Sequence, residues 1–194
     1  HDLLWGMTPA HLPADAPDWV VDAIRAGHPV VVRRAIAEPD TVAVGVRGPA
    51  REQRYAAQMP LDAVQRRVTP QALRTLTSPR DVPALRALDQ LRPVLAAHDW
   101  GVSGSTGFEL ATGIEALHAL SDLDLILHTP EPLERCAARD LLAALDSAAC
   151  AVDLQLQTPF GAVALREWAG SSRRVLLKTA SGAHLVIDPW QAMP

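Results

Sequence analysis

The alternation of apolar and polar positions marks out the elements of the chain. "APDWVVDAIRAG" (16–27) sets apolar residues at helical spacing and ends on Gly27, a natural stop. "PVVVRRA" (29–35) and "TVAVGVRG" (41–48) predict short valine-rich strands. "REQRYAAQ" (51–58) reads as the start of a helix and "PLDAVQRRV" (60–68) as another. Prolines and threonines break the pattern between about residues 69 and 83, which predicts an irregular segment or linker. "ALRALDQLRPVLAAH" (84–98) follows as a helix with a bend at Pro93.

The second half is more regular. "WGVSGS" (100–105) predicts a strand running into a Gly-Ser turn. "GFELATGIEALHAL" (107–120) is helical, with Phe108, Leu110, Ile114 and Leu117 on one side and Thr106 and Glu109 spaced as a capping box. "DLDLILHT" (122–129) is a strand. "PEPLERCAARDLLAALDSA" (130–148) is a helix with Thr129 as its cap and Pro130 at its first position. "AVDLQLQ" (151–157) alternates as a strand, and "AVALREW", "RRVLLKT" and "HLVIDPW" predict further, antiparallel strands. The order predicts an α/β (α+β) protein: a mixed sheet with flanking helices over 93–194, preceded by a smaller α/β part over 1–92. No internal repeat or low-complexity tract is present.

The chain has 194 residues, 48% of them hydrophobic, enough for one good core or two small ones. Its net charge of −4 excludes a bulk nucleic-acid binder. The charge is uneven: 12 basic and 10 acidic residues lie in 1–92, against 6 and 12 in 93–194. No apolar run is long enough to span a membrane, and there is no signal-peptide pattern. Cys136 and Cys150 lack metal-ligand spacing, so they read as reduced thiols of a cytoplasmic protein.

The chemistry gathers at two places. Residues two apart on a strand share a face, so Asp122 and Asp124 project together while Leu123, Leu125 and Leu127 enter a core. Two adjacent carboxylates repel, and a divalent cation relieves this; an all-oxygen set suits Mg²⁺, with Mn²⁺ as the alternative. Upstream, Gly104 lets a ligand approach the backbone and Ser105 offers a hydroxyl, at a helix start whose free N–H groups favour an anion. No G-K-[ST] follows, so this is not a Walker loop. Asp153, on the next strand, is the expected third carboxylate, with Asp188 its competitor.

A Gly-Ser turn, then D-x-D on the next strand, then a lone acid on a third, resembles the nucleotidyltransferase superfamily related to DNA polymerase beta. A narrower resemblance covers nearly the whole chain. "GSTGFELATG…SDLDLIL", "VDLQLQTPFGAVALREWA", "VLLKTASG…LVIDPW", "HDLLW", "VVVRRA" and "VGVRGPAREQRYA" resemble the phosphoribosyl-dephospho-CoA transferases of malonate decarboxylase, its holo-acyl-carrier-protein synthases. That resemblance implies a donor, 2′-(5″-triphosphoribosyl)-3′-dephospho-CoA, an acceptor serine on the acyl-carrier subunit of malonate decarboxylase, and pyrophosphate as leaving group. The family's D-x-D maps onto Asp122 and Asp124, and the superfamily's Gly-Ser onto Gly104 and Ser105; Asp153 follows from element order. Metal is then expected on Asp122, Asp124 and Asp153. Lys178, with Arg173 or Arg174, is expected at phosphate oxygens. Arg33, Arg34, Arg47, Arg51 and Arg54 are expected to meet the donor or an acidic carrier. Two rivals stand beside this reading: an ATP-using nucleotidyltransferase acting on a small molecule or tRNA, and a catalytically silent nucleotide-binding module.

Overall fold

Valine-rich alternation builds the first of two sheets. The structure is a computed structural model, and it describes residues 1–50 and 52–192. Strands β1 (Leu3–Trp5), β2 (Val30–Val32), β3 (Thr41–Arg47), β4 (Arg54–Pro60) and β5 (Arg66–Val68) lie in the order β4-β3-β2-β1-β5. All neighbours are antiparallel. Helix α1 (Asp18–Arg25) buries Val20, Ala23 and Ile24 with Leu4, Val30, Val44, Val46 and Met59.

Two sequence expectations fail here. The stretches 51–58 and 60–68, expected as helices, contribute strands β4 and β5, with a single 3-10 turn at Leu61–Ala63 between them. Tyr55, Ala57 and Met59 alternate towards the core while Arg54, Ala56 and Gln58 stay exposed. That period of two, together with pairing to β3 from Thr41↔Pro60 to Arg47↔Arg54, overrides the helix propensity of Ala, Gln and Arg.

The second unit contains α2 (Pro70–Leu73), α3 (Pro83–Leu95), β6 (Trp100–Val102), α4 (Gly104–Thr112), β7 (Leu123–His128), α5 (Arg135–Asp146), β8 (Val152–Thr158), β9 (Gly161–Ala164), α6 (Leu165–Ala169), β10 (Val175–Lys178) and β11 (Ala183–Val186). Its sheet runs β11-β10-β9-β8-β7-β6. Only β7 and β8 are parallel, joined through α5, and the other pairings are antiparallel. One face of the sheet is apolar: Leu123, Leu125, Leu127, Leu154, Leu156, Val163, Val175 and Leu177 are all buried. The chain divides into compact units His1–Thr69 and Pro70–Pro194. The expected boundary at 92/93 therefore falls inside α3, whose Ala84 and Leu85 pack with Leu117. The segment expected to be irregular includes the short helix α2.

Several ends also move. Helix α4 stops at Thr112 because Gly113 adopts a left-handed φ of 73°. Ile114 thus leaves the helical face and is exposed. Thr106 and Glu109 form no capping box. Thr106 lies inside α4, fully buried, and its Oγ1 finds no hydrogen-bond partner among the described residues. Helix α5 begins after Glu134, not Thr129, whose carbonyl accepts the indole N–H of Trp190 (2.7 Å). "AVALREW", expected as one strand, is β9 running directly into α6.

Glu109 has a different task. Its side chain, 4% exposed, accepts two bonds from Arg80 (2.7 and 2.8 Å) and the N–H groups of Ala116 (2.7 Å) and Leu117 (2.9 Å). It braces the loop that leads from α4 to β7. Burial alone would push this carboxyl up, but the two N–H groups and Arg80 outweigh it and hold it below the usual range. A carboxyl lowered in the folded state stabilises above its unfolded value, near 4.3, and loses that contribution as pH falls through its folded value. Glu109→Gln should therefore cost about 3–5 kcal/mol at pH 7, the range for breaking a buried ion pair. The gap to wild type in thermal melts should shrink below about pH 4. A gap independent of pH would contradict the ionised brace.

Candidate active site

The site forms where β6 passes into α4 beside the start of β7. Gly104 has φ of 60°, and a Cβ built there would overlap Oδ2 of Asp124 and lie 2.6 Å from its Cγ. The carboxylate of Asp124 is thus packed directly on the glycine backbone, an approach no other residue permits. The contact is fixed from β7, since the Ser103 N–H donates to the Asp124 carbonyl (2.9 Å) and the Ser103 hydroxyl turns to the same oxygen (3.4 Å). Ser103 is the N-cap residue of α4, and its side chain makes no capping hydrogen bond to the first turn. The helix start, with Ser105 in it, brings first-turn N–H groups and the positive end of the helix dipole to this place.

Asp153 joins from β8. In the parallel β7–β8 pair Asp124 and Asp153 are register partners, which places both on the same sheet face, on strands about 4.8 Å apart. The sides of Leu123, Leu125, Val152 and Leu154 form the opposite, buried face. Gln155, next on the Asp153 face, donates its amide to both carboxylate oxygens (3.0 and 3.2 Å). Asp188, the competitor, is committed to a turn: its Oδ1 accepts the N–H of Trp190 (2.9 Å).

Asp122 stands just before β7, whose first residue is Leu123, so strand alternation does not extend to it. It is half-buried near Cys150, whose thiol is pushed up by burial and then by the charge of Asp122. The expected carboxylate triad is not gathered in one place: among the described residues no three Asp, Glu, His or Cys side chains come together as a metal-holding set. Asp124 and Asp153 supply hard oxygen donors on one face, beside a helix start suited to phosphate. That set fits Mg²⁺, which is commonly held by one or two carboxylates together with substrate phosphates and waters.

Lys178 lies on β10, three strands from β7, exposed and opposite Ala162, which is itself opposite Gln157. It shares the sheet face of Asp153 but is not gathered with it. Arg47 belongs to the first unit, paired across the strands with Arg54. Arg51 lies outside the described residues. Cys136 and Cys150 are free thiols. No helix among the described residues is long and apolar enough to cross a membrane.

Arg166 lies where "AVALREW" passes from β9 into α6. It is the second residue of α6, and its guanidinium pairs with Asp146 at the end of α5 (2.5 Å).

Residues 1–70 match the family model for the phosphoribosyl-dephospho-CoA transferase MdcG N-terminal domain, and residues 71–189 match the model for its C-terminal domain. A phosphoribosyl-dephospho-CoA transferase of Pseudomonas fluorescens (strain Pf0-1) is 63% identical over 98% of this chain and 93% of its own length. A protein of the same name from Pseudomonas putida (strain GB-1) is 57% identical over 99% of this chain and 95% of its own. A third, from Azotobacter vinelandii, is 54% identical over 98% and 93%. No solved structure matches the chain.

Proposed function

The chain belongs to the phosphoribosyl-dephospho-CoA transferase family, and from that premise we propose the reaction and its partners. The donor is 2′-(5″-triphosphoribosyl)-3′-dephospho-CoA. The acceptor is a serine hydroxyl on the acyl-carrier subunit of malonate decarboxylase. The serine oxygen forms a bond to the phosphorus next to the ribose, and the bond from that phosphorus to the next phosphate oxygen breaks. The electron pair leaves with pyrophosphate, and a phosphodiester-linked prosthetic group remains.

The observation that carries the site is the carboxylate of Asp124 lying on Gly104 at the start of α4. Phosphoryl transfer needs little covalent help from protein and much positioning and charge control. The first-turn N–H groups and Ser105 bind phosphate oxygens, and Gly104 keeps the approach open. Asp153, oriented by Gln155, accepts the serine proton at a carboxylate oxygen. Mg²⁺, or Mn²⁺, would be held by Asp124 and Asp153 and would neutralise charge on the triphosphate when bound. Lys178 meets phosphate oxygens farther along the sheet face. The reaction takes place in the cytoplasm.

Pyrophosphate release tests this reading. It should require donor, carrier and Mg²⁺ together, and ATP should not replace the donor. Release from ATP with adenylylation of an acceptor would favour an ordinary nucleotidyltransferase, and no release would favour a binding module.

The first unit is proposed to meet the carrier or the donor through Arg33, Arg47 and Arg54. Arg47 and Arg54 are register partners across β3 and β4, which gathers two basic side chains at one end of this strand pair. Reversing Arg47 and Arg54 to glutamate should raise the carrier KM about tenfold, with the effect fading in added salt because screening lengths are about 8 Å at physiological ionic strength. A carrier KM unmoved by both the reversal and salt would remove this patch from recognition.

A further inference from the structure

We infer that Gln71 reads the adenine of the donor's dephospho-CoA part, with His128 and Asp99 holding its amide in place. The inference rests on the proposed reading of Asp124 and Asp153 as the reacting end. The strand pairing fixes where Gln71 stands. β6 and β7 pair with Gly101 opposite Ile126, and Ile126 lies between Asp124 and His128 on β7. These four residues therefore share one face of the sheet. A Cβ built on Gly101 would overlap the Pro70 carbonyl carbon and lie 2.6 Å from the backbone nitrogen of Gln71. Helix α2 is thus seated on the face of Asp124, pressed onto the Gly101 backbone, with Leu73 buried at its end.

The Gln71 side chain is oriented from the end of β7. Asp99, the residue before β6, holds Nδ1 of His128 through Oδ2 at 3.0 Å, and its carbonyl accepts the His128 N–H at 2.8 Å. Nε2 of His128 lies 3.1 Å from the amide nitrogen of Gln71. With Nδ1–H donated to Asp99, Nε2 accepts one N–H of that amide. The second N–H and the carbonyl oxygen of the amide then stand side by side. That pair matches N7 and the N6 amino group of adenine. The side chains of His128 and Asp99 are 46% and 58% exposed, so a ligand can reach this end of the face.

Distance selects the ligand. His128 is four residues from Asp124 along β7, about 13 Å at the rise of a strand. In the donor two linked riboses stand between the reacting phosphorus and the adenine, a span of that size. ATP has one ribose there, so its base stops a sugar's length short. Adenine recognition at the far end of the face therefore admits the triphosphoribosyl donor and refuses ATP. The ordinary alternative is a strut that pins α2 to the end of β7 with no ligand.

Dephospho-CoA, which carries the adenine and lacks the triphosphoribosyl group, is the probe, with its hypoxanthine counterpart beside it. Their dissociation constants by calorimetry, the donor KM and the melting temperature would be measured for wild type, Gln71→Leu and His128→Ala. Wild type should bind the adenine form about tenfold more tightly than the hypoxanthine form, the discrimination of one bidentate amide. Gln71→Leu should weaken dephospho-CoA binding and raise the donor KM, each by about tenfold, and bind both bases equally. His128→Ala should lie between, because the Gln71 amide can then turn over. Inhibition of transfer by inorganic pyrophosphate, which has no base, should be unchanged in both variants. Unchanged dephospho-CoA affinity and base preference in Gln71→Leu would overturn the assignment. So would equal losses for both bases that track a falling melting temperature. Transfer at the wild-type rate by Asp124→Asn would instead overturn the underlying site, whatever Gln71 does.

Discussion

Asp124→Asn should lower the transfer rate by about three decades or more, several kcal/mol of transition-state stabilisation, while the protein stays folded. The substitution keeps the shape of the side chain and its backbone contacts to Ser103, which come from main-chain atoms. It removes only the charge that lies at the start of α4. Asp153→Asn should show a loss of the same order, because its carboxylate is the register partner of Asp124. Asp188→Asn is the contrast: asparagine can still accept the Trp190 N–H, so activity should stay within a few-fold. Initial rates of pyrophosphate release with thermal melts check all three. Asp124→Asn with activity within tenfold of wild type would place the chemistry elsewhere.

Gly104→Ala should be nearly as damaging by another route. The added methyl has no room, since it would sit 2.7 Å from Cβ of Asp124 as well as overlapping the carboxylate. Rotating the carboxylate away cannot relieve a clash with its Cβ, so either β7 or the start of α4 must shift. The left-handed φ of 60° adds a penalty of its own for any residue with a Cβ. We expect a rate loss of about two to three decades, since misplacement by roughly 1 Å costs about a hundredfold. A stability loss of about 1–3 kcal/mol should accompany it. Gly113→Ala is the control for backbone strain alone: its φ of 73° is similar, but a Cβ there meets nothing within 4 Å. Gly113→Ala should cost stability and spare activity. Equal rate losses in the two variants would mean that strain, not contact with Asp124, explains Gly104.

The legible parts of this chain were those where one physical signal acted alone. In "DLDLILHT" and "AVDLQLQ" the alternating leucines dominate, and β7 and β8 lie within these stretches with the leucines in the core, although Asp122 falls just outside β7. The mixed α/β class followed from their order. Misreadings arose where local signals competed. "REQRYAAQ" carries good helix formers, and only pairing to β3 decides for strand. Thr106 and Glu109 have capping-box spacing, but Glu109 is drawn away by Arg80 and the loop N–H groups, a contact 29 residues back in sequence. Gly113 marked the helix end in plain view, and the apolar Ile114 and Leu117 beyond it obscured the stop. At the site, Gly104 and Asp124 were legible as a turn and a strand acid. Their direct contact was not, because it depends on how β6 and β7 pair.

Intact-mass measurement of the carrier subunit tests the central claim most directly. The carrier would be incubated with this protein, Mg²⁺ and 2′-(5″-triphosphoribosyl)-3′-dephospho-CoA. Wild type should shift the carrier by the mass of the donor less pyrophosphate, on a single serine, and Asp124→Asn should leave it unmodified in the same time. A carrier that stays at its original mass with wild type, or that gains the group equally with Asp124→Asn, would contradict the account.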